Sequence, residues 1–158
     1  VDAYEIEPEL VRRAAENLAP LPQVRLHARS GAEGLLPACD VLYVNAGATA
    51  PLTAWLDALK PGGRLLFPLT PDDGAGAMLL ITRTDGEVYA ARFLFQAQFV
   101  GCAGARDEGE EQRLAQAFRN HHWNKVKSLH RDSKPGEGCW LAGRHWWLST
   151  EDVASPRR

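Results

Sequence analysis

The side chains that could do chemistry in this chain are few, and they fall at the ends of short apolar runs. Glu5 closes the run 1–6 and is followed by Glu7-Pro8, where a helical pattern opens. In nucleotide-binding α/β folds, an acid between strand and helix accepts hydrogen bonds from a ribose diol. Ser30-Gly31, with Gly34, reads as a loop that needs close backbone approach, and Asn45-Ala46-Gly47-Ala48 is a small-residue turn behind a third apolar run. Each has a plainer alternative: a surface carboxylate, an ordinary turn, a packing turn. No nucleophile–base set appears, so no catalytic residue is assigned. The five histidines are scattered, and His121-His122 reads as a solvated helix end. Cys39, Cys102 and Cys139 lack CxxC spacing, which fits free thiols in a reducing cytosol and no metal site.

The elements that must position these groups are legible from periodicity. Residues 1–6 read as a strand. Pro8 suits a first helical turn, and Leu10, Val11, Ala14, Ala15 and Leu18 recur at helical spacing until Pro20 and Pro22 stop them. Residues 24–28 alternate as a second strand. Residues 40–44 carry too few polar side chains for a half-exposed strand, and fit a parallel strand covered on both faces. Leu52, Trp55, Leu56 and Leu59 form a helical stripe, Pro61-Gly62-Gly63 is expected to end that helix, and 64–69 to form a fourth strand. The order implies a mostly parallel sheet with right-handed crossovers.

Beyond Pro71 the pattern changes. Residues 78–82 and 87–95 flank Asp85-Gly86, a hairpin signal. With the apolar stretch 99–102 this group is expected to close one edge of the sheet. A helix is expected over 109–120 with Leu114, Ala117 and Phe118 inward, then strands over 126–129, 139–141 and 146–148 around a Pro135-Gly136 loop. Trp140, Trp146 and Trp147 read as core or edge cover. The organisation is one core over 1–104, an extension of the same domain over 105–150, and a disordered tail over 151–158.

At 158 residues the chain can form one domain with a substantial core. Net charge is −2, so no global basic field attracts nucleic acid or an anionic membrane, and no nucleic-acid partner is expected. The basic stretch 119–131, with Trp123 inside it, reads as a solvated face in preference to an RNA- or protein-binding patch. No apolar run approaches the roughly 20 residues that span a bilayer, so no membrane role is expected.

Three stretches together resemble the protein-L-isoaspartate O-methyltransferase family of class I S-adenosylmethionine (SAM) methyltransferases. They are Ala3-Tyr4-Glu5 with Pro8-Glu9-Leu10 and Asn17-Leu18; Ser30-Gly31 with Gly34 before a Leu-Pro stretch; and Asp40 through Val44-Asn45-Ala46-Gly47-Ala48 to Leu59-Lys60-Pro61-Gly62-Gly63-Arg64-Leu65 and Pro68. The resemblance covers residues 1 to about 104. It implies a Rossmann-like α/β sheet, mostly parallel with a C-terminal antiparallel hairpin, and SAM across the carboxyl ends of the parallel strands.

The resemblance also implies site roles. Glu5 would bind the ribose hydroxyls, with Ile6 beside the adenine. Ser30 and Gly31 fall where the family usually has Asp-Gly near the adenine amino group, so serine there is a departure. Asn45 and Ala46 would line the cleft near the methionine end of SAM. The family's first strand and glycine-rich loop would precede Val1, so the chain reads as a fragment of the enzyme with that central strand absent. Its loss would leave two long edges of unpaired backbone. Those edges pair with each other, another segment fills the gap, or the piece is poorly stable.

The implied reaction is methyl transfer to an isoaspartyl-like carboxylate of a protein or peptide. It needs little acid–base help, because the sulfonium leaves readily and the carboxylate is ionised at neutral pH. Two other readings stand beside this enzyme. One is a non-catalytic Rossmann-like remnant acting as a protein-interaction module. The other is an NAD-type dehydrogenase, which shares the strand-end acid but not the resemblance over 45–68.

Overall fold

The computed structural model describes residues 1–72, 74–84 and 89–153. Its strands form two sheets. β1 (Asp2–Glu5) and β2 (Arg25–Ala28) pair in parallel, joined by helix α1 (Pro8–Leu18). The second sheet has seven strands: β3 (Cys39–Tyr43), β4 (Leu59–Leu69), β5 (Gly76–Arg83), β6 (Tyr89–Ala97), β7 (Ser128–His130), β8 (Cys139–Ala142) and β9 (Trp147–Ser149). Their spatial order is β3-β4-β5-β6-β7-β9-β8, with only β3 and β4 parallel. Helix α2 (Thr53–Ala58) crosses from β3 to β4, and α3 (Glu108–Arg119) precedes β7.

Several expectations are corrected. Helix α2 ends at Ala58, and Leu59 is already extended and paired with Cys39. Pro61-Gly62-Gly63 therefore lies inside strand β4, where Gly62 adopts φ +76° and the β3–β4 register shifts. A breaker triplet here shapes an irregular strand end, a role glycine's positive φ permits. The β5–β6 hairpin is present, although its Asp85-Gly86 turn lies outside the described residues. It does not close an edge, because β7, β9 and β8 continue the sheet beyond β6. Residues 99–102 add only an isolated bridge between Gly47 and Gly101.

The core lies on one face of the large sheet. Leu65, Phe67, Leu79, Ile81, Ala91 and Phe93 all point there and are buried. Trp55 of α2 meets Phe67 edge-on at 5.6 Å, and Phe93 gathers Phe118, Trp123 and Trp140 at 5.3–5.8 Å. Such pairs add to the apolar burial that drives folding. The opposite face is open at the β3 end. Val41 and Tyr43 are each 58% exposed, so β3 is not covered on both faces as its composition suggested. Nor do β1 and β3 pair: among the described residues each has a single partner strand, β2 and β4 respectively.

Helix α3 starts at Asp107, whose side chain accepts the Glu110 N–H, one of the four amides a helix start leaves free. It ends before His121 and His122, both exposed and both left-handed at φ 62° and 63°. The stretch 119–131 is not simply solvated: Trp123 packs on Phe93, and Arg131 pairs with Asp57 at 2.7 Å. All three cysteines are free, and burial raises each thiol's pKa above its ordinary value.

Candidate functional site

The groups singled out in the sequence sit at the carboxyl ends of parallel strands. Glu5 ends β1. Its Oε1 accepts the backbone N–H groups of Ile6 at 2.7 Å and Glu7 at 2.9 Å. These bonds fix the carboxylate and leave Oε2 without a partner among the described residues. Ile6 is 54% exposed beside it, an apolar surface at the strand end. The alternation of β1 and the Pro8 helix start place Glu5 at this corner.

Ser30 and Gly31 follow β2, which pairs with β1 so that Ala28 lies opposite Glu5. Ser30 is buried and its hydroxyl is already engaged: it donates to the Ala103 carbonyl at 3.2 Å and accepts the Ala32 N–H at 3.1 Å. Gly31 lies against Tyr4, and its carbonyl accepts the Trp55 indole N–H at 2.9 Å. The pair therefore ties the small sheet to the large one.

Asn45 and Ala46 follow β3. Asn45 is exposed, and its side-chain oxygen accepts the Tyr43 hydroxyl at 3.0 Å. The turn behind them is held from both sides. Gly47 donates to Val100 O and Ala48 to Pro68 O, while Cys102 and Thr70 donate back to Gly47 O and Ala48 O. A Cβ at Gly47 would overlap Thr70 Oγ1, so the glycine is required for this approach. Glu5 and Ile6 lie beside Ser30 and Gly31 through the β1–β2 pair; no hydrogen bond or ion pair among the described residues links either pair to Asn45 or Ala46.

Sequence reasoning missed Arg106. Its guanidinium donates to Thr70 O at 2.8 Å and Gly47 O at 3.2 Å, and pairs with Glu111 and Asp72, each at 2.5 Å. Glu111 also accepts the Asp72 N–H. Thr49 adds a second tie, accepting the Asp107 N–H at 3.0 Å. A lone arginine in a Gly/Ala loop carries no motif, so only the folded chain shows it. Thr70 Oγ1 and Arg106 Nε are buried there without hydrogen-bond partners among the described residues. Among the described residues no cluster of His, Cys, Asp or Glu could hold a metal ion.

The family model for protein-L-isoaspartate(D-aspartate) O-methyltransferase matches residues 3–107, which includes all three strand ends. The chain belongs to the protein-L-isoaspartate O-methyltransferase family. It is 40% identical over 74 residues to the Pyrococcus abyssi protein-L-isoaspartate O-methyltransferase, covering 43% of this chain and 34% of that one. It is 36% identical over 95 residues to the enzyme of the same name from Aromatoleum aromaticum, covering 58% and 42%. The chain thus spans less than half the length of these curated relatives.

Solved structures agree on the fold. One is a Plasmodium falciparum protein-L-isoaspartate O-methyltransferase in complex with S-adenosyl-L-homocysteine: TM-score 0.56, 21% identity, 66% of this chain and 52% of that one. Another protein-L-isoaspartate O-methyltransferase covers 94% of this chain and 55% of its own, with TM-score 0.60 and 13% identity. The architecture is that of a Rossmann-like methyltransferase sheet. Residues beyond 107 fall outside the family match, yet they form α3 and three strands of the same sheet.

Proposed function

We propose that the chain forms the cofactor-facing part of a SAM-dependent O-methyltransferase that esterifies an isoaspartyl-like carboxylate of a protein or peptide. The observation that carries this reading is the Glu5 corner. Two amide N–H groups orient a carboxylate at the end of a parallel strand and leave its other oxygen without a partner among the described residues. That geometry fits a ribose diol, with Ile6 against the adenine. Ser30 fits adenine recognition less well, since its hydroxyl is spent inside the fold, so contacts there would fall to backbone groups. Asn45 and Ala46 would face the methionine end.

When bound, SAM supplies an activated methyl group on a sulfonium. The protein's share is to orient cofactor and carboxylate in line and to exclude water. Nothing in that chemistry calls for a triad. The remaining cofactor contacts, and the substrate site, would come from polypeptide outside these 158 residues. A cytosolic setting is part of the proposal, supported by the three free thiols. No helix among the described residues is long and apolar enough to cross a membrane.

The engaged Ser30 hydroxyl and the split sheet favour a second reading, a non-catalytic remnant that packs against a partner. Calorimetry with SAM separates the two. In the full-length form, Glu5→Ala is expected to weaken SAM by about 1.5–3 kcal/mol, the scale of a charged hydrogen bond. Unchanged affinity would refute the ribose placement, and absence of any SAM binding by that form would leave the remnant reading.

A further inference from the structure

The far end of the large sheet carries a surface made wholly from residues beyond the family match. There β8 is the terminal strand, and among the described residues it pairs with β9 alone. Gly143 donates its N–H to Trp146 O at 2.8 Å, which makes 143 and 146 a hydrogen-bonded pair of the β8–β9 hairpin. Antiparallel pairs alternate, so Ala142, opposite Trp147, turns its own N–H and C=O outward to the free edge. Helix α3 runs beside that edge in the opposite direction. Glu110 in its first turn accepts the Arg144 N–H at 2.9 Å, and the His121 carbonyl just past its end accepts the Trp140 indole N–H at 2.9 Å. Helix and strand are thus tied at both ends, and between the ties lies a groove of about 430 Å³. Its floor is the backbone of 140–142. Its wall is Gln112, Arg113, Gln116 and Asn120, in which three carboxamides recur at four-residue spacing on one helix face.

We infer that this groove binds a short, extended, acidic segment of another protein, added as a strand to the edge of β8. Ala142 exchanges backbone hydrogen bonds with the segment, the mode of recognition that exposed sheet edges offer. Alternate side chains of an extended chain share one face, and those on the α3 side meet the carboxamide row, which both donates and accepts. Charge selects the acid. No carboxylate lines the groove among the described residues. Arg113, half exposed, is held by Glu110 at 3.0 Å, and Arg144, exposed at the same end, adds a second cation. Length follows from the wall: Gln112 to Asn120 spans about 12 Å of helix, the reach of roughly four residues of extended chain. The register shift between Cys139 and Leu141 interrupts the edge beyond that, so the groove takes a short segment and does not propagate a sheet. This inference needs no cofactor and stands apart from the methyltransferase reading.

The test screens a positional-scanning library of acetylated, amidated hexapeptides against the 158-residue chain by fluorescence polarisation. Selection should favour Asp or Glu at alternate positions and reject Lys and Arg. With the best hexapeptide as probe, amide shifts in nuclear magnetic resonance should concentrate on 112–120 and 140–142. Ala142→Pro removes the outward N–H, a change an edge strand tolerates, and should weaken the probe by roughly tenfold, the scale of one hydrogen bond. Gln112→Glu, on an exposed helix position, should weaken it by about threefold, the scale of an exposed charge pair. The same variant should strengthen a probe whose acids are replaced by Lys. Circular dichroism checks that each variant folds; if Ala142→Pro does not, Gln112→Glu and the shift map decide. No selected sequence, selection of basic or uncharged peptides, shifts confined to other residues, or self-association of the chain through β8 overturns the inference. Failure of the full-length form to bind SAM would remove the cofactor reading and leave the groove standing, and failure of the probe would do the reverse.

Discussion

The two sheets are built on opposite terms. From residue 1 to 29 no side chain is fully buried, and the apolar stripe of α1 is only half-buried against β1 and β2, Leu10 being 44% exposed. Surface pairs hold this unit: Tyr4 stacks on His27 at 4.6 Å, Arg29 lies over Tyr4, His27 meets Asp2 at 2.8 Å, and Arg12 bridges Glu9 and Glu16. Exposed pairs of this kind contribute little each. The large sheet instead has one buried hydrophobic cluster, drawn from positions between Ala48 and Leu148. One region is stabilised by its own core; the other carries the best candidate cofactor group on a scaffold that leans on its neighbour through Ser30, Gly31 and Trp55. A strand pair with one helix is marginal in water without such support.

That contrast can be broken by measurement. Leu79→Ala, at a fully buried core position, should cost about 2–5 kcal/mol in urea unfolding, whereas Leu10→Ala should cost well under half of that. Equal costs would show that α1 is packed as tightly as the core of the large sheet. Amides of β1 and β2 should exchange faster than those of β4 and β5, by on the order of a hundredfold; uniform protection would mean one cooperative unit. Gly47→Ala should cost about 1–3 kcal/mol through overlap with Thr70. It should also loosen the 45–48 turn, read by exchange at Ala48 and Cys102. The smallest effect concerns pH. The hydrogen bond from His27 holds the Asp2 carboxyl below its ordinary pKa. A depressed folded-state pKa stabilises above the ordinary carboxylate range and loses that contribution as pH falls through the lowered value. Asp2→Asn should therefore flatten the acid limb of the β1–β2 amide shifts, and an unaltered limb would remove this pair from the account.

Local pattern carried much of the fold. The spacing of Leu10 to Leu18 located α1, Asp85-Gly86 located the hairpin, and the apolar run before Asn45 located β3. The miss at 59–63 has a local cause: Pro-Gly-Gly ends helices as readily as it kinks a strand edge, and only the pairing of Leu59 with Cys39 decides. Other misses are non-local. The continuation of the sheet through β7, β9 and β8 depends on pairings with no short-range signature, such as Ala90 with Ser128. The bare face over Val41 and Tyr43 was hidden because composition reports what a strand tolerates on its faces, while cover depends on what else is present. At the candidate site, Glu5 was legible from position alone. The engagement of Ser30 with Ala103, 73 residues away, was not.

Arg106 has a consequence for anyone dividing this molecule. The family likeness stops at residue 107, an inviting place to cut. Yet the guanidinium one residue earlier is largely enclosed and neutralised in part by Glu111, which lies past that line. A chain trimmed at the border of likeness would keep the cation and lose a counterion. It would also lose α3, whose Leu114 is fully buried. Ancestry and architecture draw their boundaries in different places here, and a shortened version designed by homology would be left with Asp72 alone to balance a largely enclosed cation.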